Sequence, residues 1–415
     1  MKVAVIGMGY VGFPLALQIA SKQISVLGFD ISKDKIAKLK AGVPIIKDEF
    51  ISKHFPSKYL SPSNVLEPSD IYIICVPTPV DERNIPDLTP VASATESIAK
   101  VLEDGQLVIL ESTVYPGTCE EVMKPILDKT GKKYLLAHCP ERINPLDKDW
   151  DTHNTPRVVG GYDVQSMKVA ADFYRKILDA KVYELETLKE AEATKILENT
   201  FRDVNIALVN EMAQSFYRMG IDIKNVIGAA STKPFGYMPF YPGIGVGGHC
   251  IAVDPYYMIE KGREAGFDHE YLKLARKINS NMPIYAAYLM QNMLNEIGLP
   301  LKGTKIGVYG LAYKPNIADD RESPSHQVIK RLAEKKAAVI AFDPYVPAKS
   351  GAKDLDDFLS KCDVLLVATA HDQIVNMDYS LLSKYNIKAV LDGRNCLDKK
   401  KIKSMGILYR GIGRQ

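Results

Sequence analysis

Lys2 opens a run, Val3-Ala-Val-Ile6, that is apolar and mostly β-branched, leads into Gly7-Met-Gly9-Tyr-Val-Gly12, and is followed by a helical pattern over 14–21. A strand, G-x-G-x-x-G and a helix in that order form the opening unit of a dinucleotide-binding α/β domain. Gly7 permits the tight turn, Gly9 lets backbone approach a pyrophosphate, and Gly12 lets helix and strand pack closely. The helix N-terminus offers free N–H groups and a positive dipole end to the phosphates. A second strand ends at Asp30, 18 residues past Gly12. A carboxylate there bonds ribose hydroxyls and repels a 2′-phosphate, which favours NAD over NADP. A structural glycine turn beside a surface Asp is the weaker alternative.

The alternation continues. Residues 25–29, 71–76, 107–111 and 134–138 read as further strands, with helical stretches between them such as 90–102. That pattern predicts a parallel, doubly wound sheet. Cys75-Val-Pro-Thr-Pro79 follows a strand at the end where such sheets bind ligands, and its prolines suit a rigid wall or a plain turn.

The pattern changes near residue 187. Thr187-Leu-Lys-Glu190 is a capping box, and no Pro or Gly interrupts the helical spacing from there to Met219. A helix of that length, on the order of 50 Å, can link domains and offer a dimerisation face. After a Gly/Pro/aromatic loop at 233–248 and more helices, strands return at 305–310, 338–342, 364–368 and 389–391. Asp343, like Asp30, directly follows a strand ending in Phe. The expected fold is α/β: two Rossmann-like doubly wound domains joined by a long central helix and a helical middle. The expected boundaries are 1–186, 187–300 and 301–415.

Composition narrows the partners. With 415 residues, 53 Lys and Arg, 50 Asp and Glu and a net charge of +3, nothing points to nucleic acid. No run of about 18 apolar residues suggests a membrane span, and the interrupted N-terminal run reads as strand-turn-helix, not as a signal peptide. Six scattered cysteines without a C-x-x-C pair suggest a reducing, cytoplasmic setting and no metal cluster.

The chemistry concentrates in Gly243-Ile-Gly-Val-Gly-Gly248-His249-Cys250-Ile-Ala-Val-Asp254. Side-chain-free backbone lets chain and substrate approach closely. A helix starting there would put Asp254 within a turn of Cys250 and lower the thiol pKa. Spacing alone leaves Cys250 equally a nucleophile or a buried apolar side chain. Lys195 and Asn199 share a helix face at i,i+4, and a solvated Lys is the plainer reading of that spacing.

Taken together, these motifs resemble the UDP-glucose/GDP-mannose dehydrogenase family over nearly the whole chain. The resemblance rests on the glycine motif, Cys75-Val-Pro-Thr-Pro79, Glu111-Ser-Thr-Val114, Cys139-Pro-Glu-Arg142, Lys195-x-x-x-Asn199, Asn210-Glu211 and Gly247-Gly-His-Cys-x-x-x-Asp254. It continues through Gly310-Leu-Ala-Tyr-Lys314, Asp320-Arg-Glu-Ser323 and Asp392-Gly-Arg394. It implies an NAD-dependent oxidation of a sugar C6 alcohol to a uronate for polysaccharide biosynthesis, through a Cys250 thiohemiacetal and thioester. A thiol adduct supplies the oxyanion from which the second hydride is expelled.

By matched position, the resemblance assigns Lys195 and Asn199 to the oxyanion at C6. Thr113 and Asp254 hold the water, and Glu141 is the base for thioester hydrolysis. Gly7, Gly9, Tyr10, Val11, Gly12, Asp30, Lys35, Thr78, Thr113, Thr118 and Arg321 belong to the NAD side. Glu141, Arg142, Lys195, Asn199, Phe240, Tyr241, Gly243, His249, Lys314 and Arg394 belong to the UDP-sugar side. It further implies a cleft between domains and a homodimer built on the long helix.

The stretches 139–145 and 245–250 resemble the branch acting on UDP-N-acetylhexosamines, with UDP-N-acetylglucosamine first. The mannosamine and galactosamine epimers and UDP-glucose are alternatives. Leu146 departs from the Gly expected after Asn144-Pro145. A single-step β-hydroxyacid dehydrogenase would need neither Cys250 nor residues 300–415. An inactive nucleotide-sugar sensor would not need Lys195, Asn199, Cys250 and Asp254 intact.

Overall fold

A computed structural model describes residues 1–46, 49–81, 83–142, 149–150, 152–248 and 251–415. Among these, thirteen strands form two sheets. The first contains β1 (Lys2–Ile6), β2 (Ser25–Phe29), β3 (Leu60–Ser63), β4 (Ile71–Ile74), β5 (Leu107–Leu110), β6 (Leu135–His138), β7 (Arg157–Gly161) and β8 (Val182–Leu185). The second contains β9 (Lys305–Tyr309), β10 (Ala338–Phe342), β11 (Val364–Val367), β12 (Ala389–Asp392) and β13 (Leu408–Gly411).

The first sheet runs β3-β2-β1-β4-β5-β6-β7-β8. Its first six strands are parallel and have the order of dinucleotide-binding sheets, with the switch point between β1 and β4. Past the last of the expected strands the sheet continues through β7, which pairs antiparallel to β6, and β8, which pairs parallel to β7. Residue periodicity identifies a strand but not its direction. Strand β1 is buried on both faces, as central parallel strands are. Val3 and Val5 pack with Phe13 and Leu17 on one side, while Ala4 and Ile6 pack with Tyr72 and Ile74 on the other.

The second sheet is fully parallel, in the order β10-β9-β11-β12-β13, with its switch point between β9 and β11. It repeats the opening turn of the first. Gly7 (φ +96°) donates to the Phe29 carbonyl at 2.8 Å, and Gly310 (φ +95°) donates to the Phe342 carbonyl at 2.8 Å.

The long helix spans Leu188–Arg218. Its capping box is reciprocal: Thr187 N–H donates to Glu190 Oε2 at 2.9 Å, and Glu190 N–H donates to Thr187 Oγ1 at 3.2 Å. It starts hard against β7. A Cβ on Gly160 would meet the Thr187 carbonyl oxygen at 2.2 Å, so only glycine allows that approach. Its buried stripe mixes Ala191, Ile196, Ala207 and Ala213 with Glu192, Lys195, Asn199, Asp203 and Asn210. A buried stripe this polar must be satisfied group by group.

Contacts gather the chain into two compact units, Met1–Glu198 with Tyr256–Phe267 and Asn199–Pro255 with Asp268–Gln415. The first holds the eight-stranded sheet and the second the five-stranded one. Among the described residues no helix is long and apolar enough to cross a membrane.

Candidate active site

In the first unit the glycine turn is built from close contacts. A Cβ on Gly7 would lie 2.7 Å from the Cys75 carbonyl oxygen, and one on Gly12 would lie 2.0 Å from that of Gly7. At Gly9 nothing lies within 4 Å, so its open face suits a pyrophosphate lying on the backbone. Asp30 is buried; its Oδ2 accepts from Met8 N–H at 2.9 Å and its Oδ1 from Ser32 N–H at 2.9 Å. The carboxylate therefore braces the turn it was expected to serve. Lys35 pairs with Asp30 at 2.5 Å. Tyr10 is exposed and Val11 half-buried on the same turn.

The neighbouring wall comes from the loops after β4 and β5. Thr78 Oγ1 donates to the Thr113 carbonyl at 2.8 Å, and Tyr257 OH donates to the Thr78 carbonyl at 2.5 Å. Thr118 is buried and donates to the Tyr115 carbonyl at 2.8 Å. Glu192, from the long helix, clamps this loop: its carboxylate accepts from Gly117 N–H at 2.5 Å and from Cys119 N–H at 2.9 Å. Burial pushes the Glu192 carboxyl up to about 7 against those two bonds. Sequence reading missed Glu192; its one signal is a position three residues before Lys195. Cys119, His138 and Glu192 also bring one ligand-type atom each within 4.8 Å of one another, although no metal motif is visible in their spacing.

Glu141 lies just past β6. Its Oε1 accepts from Arg142 N–H at 2.6 Å and lies 3.2 Å from Nη1 of the buried Arg157; Arg157 Nη2 donates to Oε2 at 3.3 Å. Arg142 itself pairs with Glu198 at 2.6 Å.

On the long helix Lys195 is 8% exposed. Among the described residues it has no ion-pair or hydrogen-bond partner, so the plainer solvated reading gives way to a buried cation one turn before Asn199. In the second unit Asn199 Nδ2 donates to Asp254 Oδ2 at 2.5 Å, both buried. Asp254 is the first residue of the helix Asp254–Glu264. Cys250, His249 and Leu146 lie outside the described residues.

The glycines before Cys250 are pressed against their own chain. A Cβ on Gly247 would meet the Glu322 carbonyl oxygen at 2.8 Å, and one on Gly248 (φ +83°) would meet the Tyr313 ring at 2.7 Å. Gly248 N–H donates to the Arg321 carbonyl at 3.2 Å. Gly243 N–H donates to Asn210 Oδ1 at 2.9 Å, and a Cβ there would lie 2.7 Å from Arg394 Nη1. Arg394 in turn donates to the Ala368 carbonyl at 2.7 Å, at the end of β11. Phe240 packs edge-on to Phe201, and Tyr241 is exposed. Lys314 is half-buried, and Arg321 binds Asp319 through two nitrogens at 2.9 and 2.6 Å.

Asp343 differs from Asp30. It is fully buried; Oδ2 accepts from Leu311 and Ala312 N–H at 2.7 and 2.8 Å, Oδ1 from Tyr345 N–H at 2.7 Å, and His371 Nε2 lies 3.0 Å away.

Three models of one family match in order: the NAD binding domain over residues 1–178, the central domain over 189–281 and the UDP binding domain over 307–399. The chain belongs to the UDP-glucose/GDP-mannose dehydrogenase family. Membership makes it an NAD-dependent nucleotide-sugar dehydrogenase, an oxidoreductase with a UDP-binding domain. Within the family it is 36% identical to a UDP-N-acetyl-D-glucosamine 6-dehydrogenase of Pseudomonas aeruginosa, over 94% of this chain and 97% of that one. It is 35% identical to a UDP-N-acetyl-D-mannosamine dehydrogenase of Methanococcus maripaludis, over 99% and 97%. The solved structure of a UDP-D-ManNAc dehydrogenase from Pyrococcus horikoshii superposes with a TM-score of 0.91 at 33% identity, covering 100% of this chain and 99% of that one.

Proposed function

We propose that this dehydrogenase oxidises the C6 alcohol of a UDP-N-acetylhexosamine to the carboxylate, with UDP-N-acetylglucosamine as the preferred sugar and Cys250 as the covalent nucleophile. The observation that carries the reading is the buried Asn199–Asp254 hydrogen bond: Asp254 lies four residues past Cys250 in sequence, and Asn199 lies one helical turn from the buried Lys195, unpaired among the described residues. Two NAD molecules, bound in turn, would supply the acceptors for the two hydrides lost from C6. The open Gly9 face and the buried Asp30 carboxylate fit that cofactor.

The chain's own residues do the rest. Lys195 and Asn199 stabilise negative charge on the C6 oxygen, where preorganised donors act without reorganisation. Asp254 and Thr113 hold the water, and Glu141 takes its proton during thioester hydrolysis. Gly7, Gly9, Tyr10, Val11, Gly12, Asp30, Lys35, Thr78, Thr118 and Arg321 serve NAD. Arg142, Phe240, Tyr241, Gly243, His249, Lys314 and Arg394 serve the UDP-sugar. The labour divides as 1–186 for NAD, 187–300 for the nucleophile and dimer, and 301–415 for UDP.

A homodimer is part of the reading. The long helix exposes Leu197, Phe201, Leu208 and Met212, an apolar stripe at helical spacing that a second copy would cover. The cytoplasm is the proposed setting, in line with five free cysteines among the described residues.

The relatives divide between glucosamine and mannosamine substrates at similar identity, so the epimer needs a direct test. NADH formation is measured with UDP-N-acetylglucosamine, the mannosamine and galactosamine epimers, UDP-glucose and GDP-mannose. Two NADH per UDP-N-acetylglucosamine is expected. One NADH per sugar overturns the thioester route, and turnover with another sugar alone overturns the substrate assignment.

A further inference from the structure

Arg157 opens β7 and is fully buried. A guanidinium taken that far from water is retained only where carboxylates face it with good geometry. Its Nη2 donates to Glu141 Oε2 at 3.3 Å, and Nη1 lies 3.2 Å from Oε1 as an ion pair, a two-point approach by a planar cation that a Lys cannot reproduce. A second carboxylate, Glu111, just past β5, faces the same nitrogen, with Oε2 at 4.0 Å from Nη1. Glu111 is also fully buried, and its Oε1 accepts from Tyr174 OH at 2.5 Å. Tyr174, buried on the helix Val164–Ile177, places its ring centroid 6.0 Å from the guanidinium carbon.

Within this chain of four side chains only Glu141 reaches solvent, at 12% exposure against 0% for Arg157 and Glu111. The buried members thus hold one carboxylate outward. We propose that Arg157 is a positioning residue that aims Glu141, braced from behind by Glu111 and Tyr174. The proposal rests on Glu141 being the base of thioester hydrolysis. In that step water forms a C–O bond at the thioester carbon, its proton passes to Glu141, the C–S bond breaks, and Cys250 leaves as thiolate. Nothing is oxidised, and Arg157 touches none of the reacting atoms.

Burial pushes the Glu111 carboxyl up to about 7, against the pull of Arg157 and with added repulsion from Glu141. The other titratable groups around it are Tyr174 and the buried thiols of Cys75 and Cys139. Near neutral pH, therefore, the charge behind Arg157 changes, and the hold on Glu141 changes with it.

The test uses the full chain with NAD and the UDP-sugar that supports turnover, comparing Glu141→Gln, Arg157→Lys, Tyr174→Phe and Glu111→Gln. Each is followed by the NADH burst, by intact mass for an acyl adduct, and by KM for both ligands. Glu141→Gln and Arg157→Lys are expected to give a burst of two NADH per chain, a stable adduct and steady turnover slowed about a hundredfold, with KM unchanged. Tyr174→Phe, which keeps core volume and remains informative where Arg157→Lys does not fold, should show the same burst with about a tenfold slowing. Glu111→Gln should flatten the pH dependence of acid release around neutrality. Adduct in Glu141→Gln with wild-type turnover in folded Tyr174→Phe and Arg157→Lys overturns this proposal alone. Absence of adduct in Glu141→Gln overturns the assignment of the base, and the positioning role with it.

Discussion

Asn199 reaches Asp254 through a buried 2.5 Å hydrogen bond. The helix that carries Asn199 is thereby tied to the first turn of the helix Asp254–Glu264. In the proposed mechanism this amide both braces Asp254 and donates to developing charge. Asn199→Ala should lower kcat about a hundredfold, with little change in KM for NAD. Steady-state kinetics with wild-type kcat would remove Asn199 from the site.

Asp30 and Lys35 form a neutralised pair beside the glycine turn. Removing the carboxylate leaves a cation where repulsion stood. Asp30→Ala should therefore weaken NAD and raise the use of NADP, because Lys35 is freed to meet a 2′-phosphate. The double variant Asp30→Ala/Lys35→Ala should lose most of that gain. An unchanged NAD/NADP ratio in the single variant would falsify the pairing argument.

Glu192 makes stability depend on pH in a defined direction. Burial holds its carboxyl near 7 in the folded chain against an ordinary 4.5. Between these values the unfolded chain has released the proton and the folded chain has not. Stability from this group is thus lost as pH rises from 4.5 to 7. Glu192→Gln removes that dependence, so the difference in unfolding free energy should move in the variant's favour by up to about 3 kcal/mol across that window. Denaturant melts at pH 5 and pH 8 would expose a flat difference, which contradicts this account.

His138 acts in the opposite sense. It is fully buried, neither ring nitrogen has a hydrogen-bond partner among the described residues, and burial lowers its pKa to about 3. Below about 6.5 the unfolded chain takes up a proton that the folded chain refuses, so stability is lost as pH falls from 6.5 to 3. His138→Leu should stabilise the protein by about 1 kcal/mol at neutral pH, and by more in acid. A lower Tm at both pH values would mean that the imidazole is satisfied after all.

Gly248 has a positive φ and no room for a methyl group beside the Tyr313 ring. Gly248→Ala should displace the backbone leading to Cys250 and cut kcat severely while NAD binding is retained. Gly42→Ala, at a half-buried positive-φ turn with nothing within 4 Å of the added methyl group, is the control and should leave kcat intact.

Much of this was legible because the relevant signals are local. The turn at Gly7, the capping box at Thr187 and Glu190, and strands β1, β2 and β10 each rest on neighbouring residues. Strand β7 was not legible, nor were the short strands β3, β8 and β13, whose few residues carry weak alternation. Buried polar groups were the hardest. Nothing near Glu192 or Arg157 in sequence indicates that each is sealed by partners 73 to 75 residues away, or by carboxylates on other strands' ends. Lys195 shows the converse: its spacing suggested a solvated surface, and only burial revealed a cation held back from water.

The two sheets begin with the same glycine turn and close it with the same acid, but Asp343 is sealed at 0% exposure, its Oδ2 shared by two backbone amides and the buried His371, where Asp30 pairs with the part-exposed Lys35. Ala312 also stands at the offset that Gly9 occupies in the first turn. The fold is duplicated while the socket is not. Fluorescence titration with NADH should saturate at one equivalent per polypeptide, and the same titration can then serve as a count of competent chains in any preparation.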